Sequence, residues 1–113
     1  MQLNANHVVY TAKVILPVMA ERVEQTGTKG CMVVTSSLAS ALPMSGLTTY
    51  SATKIFANYM AEGLWMEHKD KIDILCYCPG EVGTKLIKKE GQSDGVTIST
   101  EYAADVCFRD IGI

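Results

Sequence analysis

Two short apolar runs constrain the fold of this 113-residue chain more than any other feature. Residues 31–35 (CMVVT) lie between a glycine and a serine pair, and residues 72–78 (IDILCYC) end at a Pro-Gly pair. Short apolar runs bounded by turn residues are typical of strands buried on both faces. A strand, a crossover helix and a second strand form a βαβ unit with a parallel, right-handed connection. The two runs therefore predict an α/β fold.

Helical periodicity lies before and between these strands. Residues 4–22 repeat apolar side chains at three- and four-residue steps, and Pro17 predicts a kink or a weakening within that helix. A second helix is predicted to begin at an N-cap formed by Thr48 or Thr49 and to end near Lys69. Its predicted apolar face comprises Ile55, Phe56, Tyr59, Met60, Leu64 and Trp65.

The remaining segments are predicted loops and one further helix. Residues 36–47 and 81–95 contain the glycine and polar residues of loops, and Ser99 is predicted to cap a last helix that ends near Arg109. Two parallel strands are too few for a complete sheet of this kind. We therefore expect residues 1–113 to be a single, incomplete domain, a partial doubly wound parallel sheet.

Composition excludes several classes of protein. Ten basic and twelve acidic residues give a net charge of −2, which argues against nucleic acid as a partner. The longest apolar run, residues 14–20, is much shorter than the roughly 20 residues that span a bilayer. The four cysteines lack CxxC spacing, which predicts no metal site and favours small buried side chains in a reducing compartment.

Ser37, Tyr50 and Lys54 form the sharpest chemical pattern in the sequence. Tyr50 and Lys54 are four residues apart, which places them on one face of a helix. An ammonium group beside a phenol favours its ionised form, so Tyr50 becomes a usable acid–base group near neutral pH. Ser37 directly follows a predicted strand, where its hydroxyl could bind the oxygen atom that gains or loses a proton. The pattern predicts proton transfer to or from a substrate oxygen.

With these residues, the sequence resembles the short-chain dehydrogenase/reductase family. The matching stretches are VVTSS (33–37), YSATK (50–54), CPGEVGTK (78–85) and NANHVVYTAKVILPVM (4–19). The stretches LPVMAER, LTTYSATK and STEYAADVCFRDIG are most similar to the branch of 3-ketoacyl-CoA reductases and 17β-hydroxysteroid dehydrogenases. The resemblance implies a Rossmann-like fold and hydride transfer between NAD(P) and a ketone or secondary alcohol of the 3-ketoacyl or steroid type.

The resemblance also implies roles for individual residues. Tyr50 would be the general acid during reduction, and Lys54 would favour its ionisation and bind the nicotinamide ribose. Ser37, rather than its neighbour Ser36, would orient the substrate oxygen. Asn4 falls where the family keeps an asparagine that supports a proton relay to the lysine, although an asparagine at a helix start is also a common N-cap.

Cofactor contacts would follow the second strand. Pro79 and Gly80 would let the backbone approach the nicotinamide, and Val82 and Thr84 would contact its carboxamide, whereas Glu81 receives no role. The branch favours NADP over NAD. The long helices would join copies of the chain, and the protein would be cytoplasmic, or located at the endoplasmic reticulum if a longer protein carries a membrane anchor.

One element of the family pattern is missing from these residues. No GxxxGxG turn is present, although in such folds that turn binds the cofactor pyrophosphate. We therefore expect the chain to be the catalytic portion of the domain without its glycine-rich half. The alternative is a catalytically silent fragment, or an interaction module that does not bind a dinucleotide by itself.

Overall fold

A computed structural model describes residues 2–87 and 96–111 of the chain. A π-helical turn (Gln2–Asn6) leads into helix α1 (His7–Thr26), followed by strand β1 (Gly30–Thr35), helix α2 (Thr48–His68) and strand β2 (Ile72–Tyr77). β1 and β2 pair in parallel, with Gly30 opposite Ile72 and Thr35 opposite Tyr77. The predicted βαβ unit and its α/β class are confirmed.

Both long helices pack against the same face of this two-stranded sheet. Val34 of β1 and Ile72 of β2 are buried there under residues of α1 and α2. On the opposite face Cys31 is exposed, and Val33 retains 38% of its accessible surface. The prediction that β1 is buried on both faces is wrong, because side chains alternate along a strand and the two helices cover only one side.

The buried face of α2 is made of small residues. These are Ser51, Thr53, Ala57 and Ala61. The predicted apolar face is wrong in this respect, since Ile55, Phe56, Tyr59 and Trp65 are all exposed. Small side chains let the helix backbone lie close to β2. Of the predicted face only Met60 and Leu64 pack against the core, where both are half-buried.

The helix boundaries differ from the predictions in two places. α1 continues without interruption past Pro17 to Thr26, where Gly27 adopts a left-handed conformation (φ 69°) and donates its backbone N–H to Val23 O. Leu47 occupies the N-cap position of α2 and makes no side-chain cap, so the predicted threonine cap is wrong. The start of α2 is therefore set by the backbone turn that precedes it. In that turn Gly46 adopts a left-handed conformation, with φ 77°.

The segment after β2 contains a second, very short parallel pair. Strand β3 (Glu81–Val82) pairs with strand β4 (Thr97–Ile98), and Thr97 Oγ1 donates to Glu81 Oε1 at 2.7 Å. The prediction of a continuous loop over residues 81–95 is therefore wrong at its start. Residues 88–95 of that predicted loop lie outside the described residues.

Helix α3 (Thr100–Ile111) begins as predicted. Ser99 Oγ accepts the Tyr102 N–H at 3.2 Å, which confirms the predicted cap. The Tyr77 hydroxyl donates to Ala103 O at 2.8 Å and fastens α3 to β2. Within residues 2–87 and 96–111, no helix is long and apolar enough to cross a membrane.

Candidate active site

The carboxyl ends of β1 and β2 form the candidate site. Ser36 N donates to Tyr77 O at 2.7 Å, and Leu38 N donates to Pro79 O at 2.8 Å. The segments that follow the two strands therefore leave the sheet side by side. In open parallel sheets, ligands bind outside this edge.

The two serines at the end of β1 have different environments. Ser36 is buried, and its hydroxyl donates to Lys54 O at 2.9 Å, which attaches the strand end to α2. Ser37 is half-buried and caps a short 3₁₀ turn (Leu38–Ser40), its Oγ accepting the Ala39 N–H at 3.2 Å. Ser36 is thus occupied by a structural bond. The Ser37 hydroxyl accepts a hydrogen bond but donates none among the described residues, so its hydrogen is available to a ligand.

Tyr50 and Lys54 are brought together on the first turns of α2. The Lys54 ammonium lies 5.7 Å from the centroid of the Tyr50 ring, within the range of a cation–π contact. Lys54 Nζ also donates to Thr35 O at 3.1 Å. A strand-end carbonyl therefore holds the ammonium beside the phenol ring. Both side chains are half-buried and can be reached from solvent.

Asn4 lies on the π-helical turn that packs against α2. Its side chain is half-buried and forms no hydrogen bond with the other described residues. The predicted N-cap role is not seen, because Asn4 lies inside the turn and Asn6 precedes α1. The fold thus brings the Asn4 segment to the helix of Tyr50 and Lys54, without a direct polar link.

The residues predicted to contact a cofactor follow β2. Pro79 accepts the Leu38 N–H, Val82 belongs to β3, and Thr84 is half-buried just beyond it. A Cβ atom built on Gly80 would meet no described atom within 4 Å, so the space beside this turn is open.

Sequence reasoning missed Asn58. Asn58 Nδ2 donates to Ser40 Oγ at 2.9 Å, and Asn58 Oδ1 lies 3.4 Å from Cys76 Sγ and 3.7 Å from Cys78 Sγ. A signal was present in the sequence, since Asn58 follows Lys54 by four residues and so continues the face that carries Tyr50 and Lys54.

The cysteines differ from the prediction of four small buried side chains. Cys31 and Cys78 are exposed, Cys76 and Cys107 are half-buried, and all four are free. Cys76 and Cys78 share a face, as their spacing predicts, with their sulfur atoms 3.9 Å apart. Burial, followed by the neighbouring Cys78, raises the pKa of Cys76 to about 11. No cluster of three or more potential metal ligands occurs among the described residues.

Comparison with known proteins shows the family of the chain. The family model of short chain dehydrogenases matches residues 1–95. Very-long-chain 3-oxoacyl-CoA reductases from Mus musculus and Anas platyrhynchos are each 37% identical over 87 residues, and the enzyme from Homo sapiens is 34% identical over the same length. These matches cover 76% of this chain but only 26% of each relative. The sequence match shows that the chain belongs to the short-chain dehydrogenase family of oxidoreductases, and its α/β fold is consistent with that family.

Proposed function

We propose that this chain carries the catalytic portion of an oxidoreductase that transfers hydride between NAD(P) and a ketone or secondary alcohol. The observation that supports this most directly is the Lys54 ammonium, held between Thr35 O at 3.1 Å and the Tyr50 ring at 5.7 Å. This pair lies at the edge of a parallel sheet where ligands bind. The proposal includes the interpretation of residues 1–113 as one incomplete domain.

In this proposal each side chain has a separate task. Tyr50 gives its phenolic proton to the carbonyl oxygen during reduction and takes it back during oxidation. Lys54 stabilises the phenolate through its positive charge and binds the ribose of the cofactor. Ser37 donates its free hydroxyl hydrogen to the substrate oxygen, and Asn4 supports proton supply to Lys54. The nicotinamide, when bound, supplies or accepts the hydride.

Pro79, Gly80, Val82 and Thr84 are the proposed cofactor contacts. The open space beside Gly80 lets the ring approach the backbone, while Val82 and Thr84 face its carboxamide. NADP is the proposed cofactor and NAD the alternative. The names of the relatives favour a 3-oxoacyl-CoA over a steroid ketone as the substrate.

A Tyr50→Phe substitution tests the role of the phenol. Loss of a general acid lowers turnover by about 10²- to 10⁴-fold, so in a protein that also contains the glycine-rich half we expect carbonyl-dependent oxidation of NADPH to fall by that factor. Tyr59→Phe, a substitution at an exposed position of the same helix, is the matched control and should keep full activity. Circular dichroism checks that both variants fold. A Tyr50→Phe protein as active as the parent contradicts the proposal.

Binding of NADPH separates this proposal from the silent-module alternative. A ligand that binds only the folded state raises the melting temperature, in proportion to ln(1 + [L]/Kd). We expect NADPH to stabilise the chain and Lys54→Met to weaken that stabilisation. A cooperative transition that NADPH does not shift, together with absent turnover, would instead favour the catalytically silent module.

Two further parts of the proposal concern the whole protein. The exposed apolar residues of α1 and α2 are proposed to join copies of the chain into a homo-oligomer. The protein is proposed to act in the cytoplasm, or at the endoplasmic reticulum if a longer protein carries a membrane anchor.

A further inference from the structure

We propose that Asn58 is a positioning residue, which fixes the Ser37 turn and the end of β2 in register with the helix that carries Tyr50 and Lys54. This inference rests on the proposed function, because it assigns Asn58 to the same reaction. Asn58 itself touches neither of the proposed reacting groups. It acts through two neighbouring segments, which its amide nitrogen and its amide oxygen contact separately.

The amide nitrogen of Asn58 connects to the Ser37 turn. Asn58 Nδ2 donates to Ser40 Oγ at 2.9 Å, and Ser40 Oγ in turn donates to Ser37 O at 2.7 Å. Ser40 N donates to the same carbonyl at 2.9 Å. The position of Ser37 relative to α2 is thus set by a chain of bonds that starts at Asn58.

The amide oxygen of Asn58 contacts the end of β2. The Cys76 and Cys78 thiols both donate to Oδ1, at 3.4 and 3.7 Å. Thiols are weak donors, so this contact contributes mainly to geometry. Burial raises the pKa of Cys76 to about 11, which keeps this thiol protonated as a donor at neutral pH. Cys78 directly precedes Pro79 and Gly80, the proposed cofactor turn.

The placement of Asn58 explains why both contacts matter to one reaction. Tyr50, Lys54 and Asn58 follow each other at four-residue steps on one face of α2. Lys54 binds the carbonyl of Thr35, and one turn later Asn58 binds the segments that follow both strands. A misplacement of about 1 Å between reacting groups costs on the order of 10²-fold in rate. A side chain that fixes two segments against α2 therefore affects turnover without touching the substrate.

Hydrogen exchange and thiol alkylation test these contacts independently of any enzyme activity. In Asn58→Ala we expect amide exchange at Ser40 and Ala41 to rise by up to about tenfold, the equivalent of one lost hydrogen bond. Alkylation of Cys78 should accelerate as well. Asn58→Asp keeps the oxygen acceptor and loses the donor, so it should loosen the turn while the thiols stay protected. Glu67→Ala, at an exposed position near the end of α2, is the control and should change neither.

Steady-state kinetics of the reductase reaction test the positioning role. We expect Asn58→Ala to lower kcat by about 10- to 100-fold and to leave the KM values for NADPH and substrate within about twofold. Ser40→Ala should lower kcat through the same bond. The double variant should lose little more than Asn58→Ala alone, because Asn58→Ala already breaks the bond to Ser40.

The possible outcomes are distinct. Unchanged amide exchange at Ser40 and Ala41 in Asn58→Ala overturns the proposal. Faster exchange spread evenly along α2 also overturns it, because that result would show a merely structural role. Strictly additive losses of kcat, or an effect on KM alone, overturn it too. If the parent chain neither turns over nor binds NADPH, the proposed function fails. In that case the exchange data still decide whether Asn58 holds the two segments together.

Discussion

At the scale of single residues, hydrogen bonds between the end of β1 and α2 determine where Lys54 lies. Thr35 O accepts from Lys54 Nζ, and the carbonyl of Lys54 accepts from the buried Ser36 hydroxyl. The lysine is thus fixed at both its backbone and its ammonium. A flexible side chain held in this way loses little further entropy when it binds a ribose or stabilises a phenolate.

The titration of Cys76 gives a prediction at this scale. Burial raises its pKa to about 11, so at pH 8 only about one thousandth of this thiol is the reactive thiolate. We expect its alkylation by iodoacetamide to be slow at neutral pH and to rise about tenfold per pH unit without a plateau below pH 10. Peptide mapping by mass spectrometry over a pH series measures this. The same cysteine in urea is the control and should level off near the ordinary thiol pKa of about 8.5; a similar plateau in the folded chain contradicts the prediction.

The sequence predicts some of these residues better than others. The Tyr50–Lys54 pair follows from helical spacing alone, and the structure places the two side chains in contact. Asn58 was missed because its partners, Ser40 and Cys76, come from a turn and from the other strand. Only the tertiary fold brings such partners together. The four-residue step from Lys54 indicated the face but not the contacts.

At the scale of elements, the cap of α3 gives a second prediction. Ser99 Oγ accepts the Tyr102 N–H, and hydrogen bonds from the α3 amino end lower the pKa of Glu101. Replacing an N-cap serine by alanine costs about 1 kcal/mol, so we expect Ser99→Ala to lower the free energy of unfolding by that amount. Urea denaturation measures the loss. Ser45→Ala, at an exposed loop position, should change stability little, and equal losses in the two variants would contradict the capping role.

The order of elements was predictable, whereas the buried faces and the shortest strands were not. Strong apolar runs and helical periods mark β1, β2, α1 and α2. Burial on α2 falls instead on small residues such as Ala57 and Ala61, because close packing against β2 leaves no room for large ones. The β3–β4 pair has two residues in each strand, too few for any alternation to be recognised.

At the scale of the whole molecule, a large apolar surface remains exposed on the long helices. Tyr10, Val14 and Val18 lie at four-residue steps on α1 and keep 67%, 65% and 63% of their accessible surface. Tyr59 and Met66 are exposed on α2. Isolated exposed apolar side chains are common, but a row of them along a helix is typical of an interface. These residues support the proposed homo-oligomer.

Val14→Asp tests that interface, since Val14 occupies the middle of the row. Placing a charge where apolar surface would be buried costs desolvation free energy in the oligomer but little in the exposed monomer. We therefore expect the parent chain to associate in sedimentation velocity over a concentration series, and Val14→Asp to weaken that association at least about tenfold. Leu42→Asp is the matched control, because Leu42 is equally exposed, at 70%, but lies in the loop before α2. If the parent chain is monomeric throughout the series, or if both variants weaken association equally, the α1 row is not the contact surface. An effect confined to Val14→Asp instead assigns the contact to α1, on the side of the helix that faces away from the sheet.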